Sequence, residues 1–113
     1  MTSNLVSIII PAYNEAATIH LVLNKVKDVK EINGLSKEAI IVNDCSTDST
    51  VDAVKTYQEQ TPDLSITLLK HNINTGKGGA LHTGIAAASG KDVLIQDADL
   101  EYDPLEYNDL LRP

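Results

Sequence analysis

Leu5-Val6-Ser7-Ile8-Ile9-Ile10 is a nearly continuous run of apolar, mostly β-branched residues that stops at Pro11. That is the pattern of a strand buried on both faces. From Glu15 onward Ile19, Val22, Leu23 and Val26 recur at helical spacing, with Lys25 and Lys27 near the end, which predicts an amphipathic helix. A polar connection around Asn33-Gly34 leads to a second strand, Ala39-Ile40-Ile41-Val42. Asp48-Ser49-Thr50 then offers caps for a helix carrying Val51, Val54 and Tyr57, interrupted at Thr61-Pro62-Asp63. Ile66-Thr67-Leu68-Leu69 predicts a third strand. The glycine-rich turn Asn74-Thr75-Gly76-Lys77-Gly78-Gly79 follows, then a helix packed through Ala80, Leu81, Gly84, Ile85 and Ala88 and closed by Ser89-Gly90. Val93-Leu94-Ile95 is the fourth strand. Strands alternating with helices of this length imply right-handed crossovers and a largely parallel, Rossmann-like α/β sheet with helices on both faces.

In such sheets ligands collect outside the carboxyl ends of the strands. Three polar clusters lie there: Pro11-Ala12-Tyr13-Asn14-Glu15, Asn43-Asp44-Cys45-Ser46 and Gln96-Asp97-Ala98-Asp99. The carboxylates of Asp97 and Asp99 suit a hard divalent cation such as Mg²⁺ or Mn²⁺, and such cations pair with phosphates. An Asp-x-Asp pair also arises by chance after strands, so the convergence of clusters carries more weight than this one.

Composition narrows the setting. The chain has 113 residues, 42% of them hydrophobic, which fits a single domain, 1–113, with a real core. A formal charge of −7 argues against nucleic acid or an anionic membrane as a broad partner. The single Cys45 can form no internal disulfide, which points to a reducing, cytoplasmic setting. It is expected to be a small apolar group rather than a nucleophile. No apolar stretch approaches the roughly 18 residues of a transmembrane span. His20, His71 and His82 lack metal-ligand spacing, and packing or surface roles are expected for all three.

Four segments together closely resemble family 2 glycosyltransferases: residues 8–15, 41–48, Asn74-Thr75-Gly76-Lys77-Gly78-Gly79-Ala80, and Gln96-Asp97-Ala98-Asp99-Leu100-Glu101-Tyr102-Asp103-Pro104. The nearest likeness is to the dolichyl-phosphate mannose synthase-like branch. The resemblance implies a GT-A fold, here C-terminally truncated, that binds a GDP- or UDP-linked sugar and transfers it with inversion. It further implies that residues 11–15, with Pro11, Ala12, Tyr13 and Glu15, line the nucleoside pocket. Asp44 would accept a hydrogen bond from a base N–H; the alternative is that Asp44 and Ser46 only organise the turn. Asp97 and Asp99 would bind the metal bridging the donor diphosphate, with Ala98 against the donor. Glu101 is either a further oxygen ligand or solvent-facing. Lys77 either meets phosphate or is a solvated lysine, since neither a Walker A motif nor a dinucleotide fingerprint is present.

Two positions depart from the family pattern. Cys45 stands where glycine is usual, and Asn43 where an acidic residue is common. The general base of such enzymes is expected beyond Pro113, in the acceptor-binding half, so the chain reads as the donor-binding half. The implied acceptor is a polyprenyl phosphate or a glycan, the former at the cytosolic face of a membrane. Apolar surface left by the missing half makes self-association an expectation. Competing readings are a nucleotidyltransferase, whose glycine-rich, arginine-containing loop after the first strand is absent, and a non-catalytic nucleotide-sugar-binding or interaction module.

Overall fold

A computed structural model describes residues 2–28 and 36–96; the expected connection at Asn33-Gly34 and everything from Asp97 onward lie outside them. The elements run β1 (Thr2–Ala12), α1 (Ile19–Asp28), β2 (Ser36–Asn43), α2 (Thr50–Gln60), β3 (Ile66–Lys70), α3 (Gly76–Ala87) and β4 (Gly90–Ile95). The four strands form one sheet of order β3-β2-β1-β4, and every pairing is parallel. The chain steps outward from β1 to β3 and then returns to the other side of β1. Right-handed crossovers require the helix of that return step to lie on the opposite face. Accordingly α1 and α2 share a core with Val6, Ile8 and Ile10, whereas Ala80 of α3 packs with Ile40 and Val42. The strand order reverses between β1 and β4, and open α/β sheets as a class bind ligands outside the carboxyl ends of the strands at such a point.

The apolar run of β1 is buried on both faces: Val6, Ile8, Ile9 and Ile10 have no exposed surface. The strand does not stop at Pro11, which pairs with Val42. Among the described residues the pairing to β4 runs only as far as Ile9 with Ile95, so no ladder bond there needs the N–H that Pro11 lacks. Helix α1 buries the expected Ile19, Val22, Leu23 and Val26, but it begins at Ile19 rather than near Glu15. The Glu15 carbonyl instead accepts the Thr18 and Ile19 N–H groups, at 3.1 and 2.8 Å, in a turn leading into the helix. At the other end Lys37 Nζ donates to the Lys27 carbonyl at 3.0 Å.

Helix α3 departs most from expectation. Gly76, Lys77, Gly78 and Gly79 form its first turn rather than a loop before it. Its buried residues are Ala80 and Gly84, while Ile85, expected in the core, is 52% exposed. An i, i+4 pair of small residues lets the helix lie close to the sheet, and Ile85, one position on, points away from that contact. Val93 and Ile95 of β4 are also exposed, at 36% and 44%, because α3 contacts β1 and β2; Leu94 packs toward the α1/α2 core. At the amino-terminal ends of the strands the buried Ser7 hydroxyl donates to Glu38 Oε2 at 2.5 Å and accepts the Gly90 N–H at 2.8 Å.

A Cβ at Gly84 would lie 2.5 Å from Ile9 Cγ2 and 3.3 Å from Val42 Cγ2. Gly84→Ala is therefore expected to destabilise the fold by about 1–3 kcal/mol, measured by urea unfolding. An unchanged midpoint would show that α3 can retreat from the sheet without cost.

Candidate functional site

The loops after β1 and β2 are clasped together by side-chain oxygens that accept backbone N–H groups. Asn14 Oδ1 accepts from Thr47 N at 2.7 Å and Asp48 N at 3.3 Å, and Asn14 N donates to Ser46 Oγ at 2.9 Å. In return Asp48 Oδ2 accepts from Ala16 N at 3.2 Å, and Thr50 Oγ1 accepts from Glu15 N at 2.9 Å. Asp48 Oδ1 also receives the Thr50 N–H at 2.9 Å and the Thr50 hydroxyl. These bonds, led by the one from the Thr50 hydroxyl, hold the Asp48 carboxyl below its usual range. Ser49, the N-cap of α2, makes no side-chain cap bond; Asp48 performs that task from one residue earlier. The clasp needs tight backbone turns, and Asn14 and Cys45 both adopt left-handed conformations, with φ of 54° and 62°. Asparagine tolerates this region well, whereas a cysteine there costs roughly 1 kcal/mol relative to glycine.

Asp44 joins the end of β2 to the start of α3. Its Oδ1 accepts from His71 Nδ1 at 2.8 Å, Thr75 N at 2.9 Å and Thr75 Oγ1 at 2.8 Å. Its Oδ2 accepts from Gly76 N at 2.8 Å. Burial by itself would raise the carboxyl pKa, but the donors from Thr75, His71 and Gly76 outweigh it and lower the value from 3.8 to about 2. The group is therefore a carboxylate at neutral pH, and its side chain keeps 5% of its surface open. His71 is anchored at both ends: its N–H donates to the Asn43 carbonyl at 2.9 Å, and Nε2 lies 2.8 Å from Thr83 Oγ1 of α3.

The structure brings most of the sequence-predicted residues to this end of the sheet. Ala12 is buried at the end of β1 and Tyr13 beside it is 45% exposed; Pro11 is half-buried in the strand. The half-buried Glu15 accepts the Thr18 hydroxyl on Oε2 at 2.9 Å. Lys77 is exposed in the first turn of α3. Asn43 Oδ1 accepts the Ser46 N–H at 3.3 Å, so the amide at this position retains a hydrogen bond. Gln96 is fully buried, and its N–H reaches the Ile9 carbonyl at 2.9 Å, which keeps the chain beside β1 up to the residue before Asp97. Asp97, Ala98, Asp99 and Glu101 themselves lie outside the described residues. Of the three histidines, His20 and His82 are exposed, while His71 is half-buried and hydrogen-bonded into the Asp44 cluster. Asn14, Asp48, Thr50 and Thr75 were also not singled out as site residues. Their signal was local: each is a turn or cap residue within a polar cluster at a strand end.

The all-parallel sheet with polar loops gathered at the carboxyl ends of its strands defines an α/β domain of the Rossmann-like class. Residues 7–113 match Glycosyl transferase family 2, and the chain belongs to that family. It is 42% identical over 100 residues to the dolichyl-phosphate beta-glucosyltransferase of Dictyostelium discoideum, covering 82% of this chain and 30% of that relative. Among solved structures, the mannosyltransferase PcManGT from Pyrobaculum calidifontis, in complex with GDP-Man and Mn²⁺, superposes with a TM-score of 0.80 at 33% identity. That match covers 93% of this chain and 31% of the other. Glucosyl-3-phosphoglycerate synthase from Mycobacterium tuberculosis, with Mn²⁺, UDP and phosphoglyceric acid, gives 0.66 at 27% identity, covering 84% and 33%. The fold is thus GT-A, and the chain spans about a third of the length of these proteins.

The depressed Asp44 pKa has a definite sign. A carboxyl lowered in the folded state contributes stability that is present above the unfolded value and is lost as pH falls through about 2. The melting-temperature gap between wild type and Asp44→Asn is expected to be widest above pH 4 and to close as pH falls toward 2. A gap that stays constant over that range would mean that folding does not depress the Asp44 carboxyl. Cys45→Gly is expected to be neutral or to stabilise by up to about 1 kcal/mol, while Cys45→Val destabilises by about 1–2 kcal/mol. Thermal melts showing the reverse order would remove the strain at this turn.

Proposed function

We propose that this chain is the donor-binding part of an inverting glycosyltransferase that takes its sugar from a nucleotide-diphosphate sugar. The observation that carries the reading is the Asp44 carboxylate. It is ionised, held at the carboxyl end of β2, and Oδ2 accepts only the Gly76 N–H among the described residues. A carboxylate oxygen has two lone pairs in its plane, so one acceptor direction is left for a base N–H. In this reading Tyr13 offers a ring beside the base, and Lys77, at the start of α3, faces the diphosphate together with the helix N–H groups.

Asp97 and Asp99, with Glu101, would hold the divalent cation. An all-oxygen carboxylate set fits Mg²⁺ or Mn²⁺, and Gln96 enters that segment from the end of the sheet where the strand order reverses. When bound, such an ion neutralises charge on the leaving nucleotide. The neighbours crystallised with Mn²⁺ and GDP-Man or UDP support this reading. The name of the Dictyostelium relative supports dolichyl phosphate, a polyprenyl phosphate, as the acceptor class, with transfer at the cytosolic face of a membrane. No helix among the described residues is long and apolar enough to cross one. The base that deprotonates the acceptor is assigned to the part of the relatives that this chain does not span.

Calorimetric titration with UDP and GDP, each with and without Mn²⁺, tests the reading. The expected result is preferential, Mn²⁺-enhanced binding of one nucleotide, with the enhancement reduced on the order of tenfold, about 1.4 kcal/mol, in Asp97→Asn and in Asp99→Asn. Folded protein that binds neither nucleotide would sink the donor-site reading. Unchanged Mn²⁺ enhancement in either variant would remove that aspartate from the metal site.

A further inference from the structure

His71 occupies a position that invites a role beyond packing. A carboxylate offers only acceptors, so His71 Nδ1, 2.8 Å from Asp44 Oδ1, carries the proton of that bond. The Thr83 hydroxyl, 2.8 Å from Nε2, fixes the ring from the far side. Thr75 supplies Oδ1 with two further donors. Among the described residues one oxygen of Asp44 is thus fully used, while the other is seen to receive one backbone N–H. This asymmetry is imposed by the surroundings, because the two oxygens of a free carboxylate are equivalent. Among the three donors to Oδ1, only the imidazole brings a ring braced on a second element.

We propose that His71 is a specificity-determining positioning residue: by engaging Asp44 Oδ1 while braced on Thr83, it turns Oδ2 toward the ligand as an open acceptor. The pocket would then favour a nucleobase with an imino N–H over one with an acceptor at that ring position. Uracil and guanine are of the first kind and cytosine of the second. The proposal rests on the reading that Asp44 faces the base; it adds that His71 controls the selectivity. Without His71 the carboxylate is held only by donors from Thr75 and Gly76 at the start of α3 and loses its tie to the end of β3 and to Thr83, so it can shift with that helix turn, and the penalty against cytosine fades.

Affinities for UDP, GDP, CDP and inorganic pyrophosphate, measured by calorimetry on wild type and three variants, test this. Wild type is expected to bind UDP or GDP more tightly than CDP. In His71→Ala that preference should fall about tenfold, the size expected for losing a hydrogen bond to a charged group, while pyrophosphate affinity is unchanged. His71→Asn places an amide N–H near the Nδ1 position and should restore most of the preference. His71→Gln, whose amide reaches toward the Nε2 position, should not. Full preference retained in folded His71→Ala, or equal rescue by Asn and Gln, would overturn the proposal. So would a loss of pyrophosphate binding that parallels the loss of nucleotide binding, since that marks a merely structural role. If wild type itself prefers neither UDP nor GDP over CDP, the base-facing reading of Asp44 fails and the proposal falls with it. Should His71→Ala not fold, the contrast between Asn and Gln decides alone.

Discussion

The arrangement at the carboxyl end of the sheet depends on one carboxylate. A helix that starts at a parallel sheet presents several N–H groups with no partner inside the helix. In α3 the usual solution is absent: Thr75, its N-cap, makes no side-chain cap bond of its own. Asp44 takes that place from 31 residues away, accepting the Thr75 and Gly76 N–H groups while the Thr75 hydroxyl also donates to it. The same oxygens bring in His71, next after β3. A single side chain therefore sets the mutual positions of β2, the β3–α3 connection and the first turn of α3. Four donors, two of them backbone amides, also explain why the group stays ionised although burial opposes it.

The neighbouring clasp between residues 14–16 and 46–50 follows the same physical logic with neutral and charged acceptors together. Polar loops that leave a parallel sheet side by side have N–H groups to satisfy, and Asn14 and Asp48 satisfy several of them across the gap, Asp48 also serving Thr50 in its own segment. The two loops are thereby fixed relative to each other by the protein's own hydrogen bonds. A left-handed turn at Cys45 is part of that arrangement, which is the physical content of the glycine usual at this place in the family.

What the sequence made legible follows from the range of the interactions involved. β1 and α1 were readable because their apolar residues repeat at periods that only a doubly buried strand and an amphipathic helix satisfy; burial of Val6, Ile8–Ile10, Ile19, Val22, Leu23 and Val26 agrees. The parallel α/β class and the gathering of polar clusters at the strand ends were readable for the same reason. Ile85 differs from the sequence expectation because a hydrophobic residue signals burial only if something covers it. Coverage by α3 was decided by its small residues, which carry little hydrophobic signal. His71 was invisible as a site residue because its meaning lies in Asp44, 27 positions away, and in Thr83. No local pattern marks that relation. Asp44 itself was legible as a candidate, but its partners were not.

Packing and site are coupled through α3. Gly84 lets the helix axis approach Ile9 to a distance at which even a Cβ would collide. Thr83 precedes Gly84 and is half-buried, so the depth of that contact sets how far the Thr83 hydroxyl stands from His71 Nε2. A hydrogen bond weakens steeply once stretched by a few tenths of an ångström beyond its usual length. A change of one methyl group at residue 84 would therefore be felt at Asp44, through Thr83 and His71, without touching either. The small-residue stripe of α3 thus does more than allow close packing: it holds a chain of three hydrogen-bonding side chains in register at the carboxyl end of the sheet.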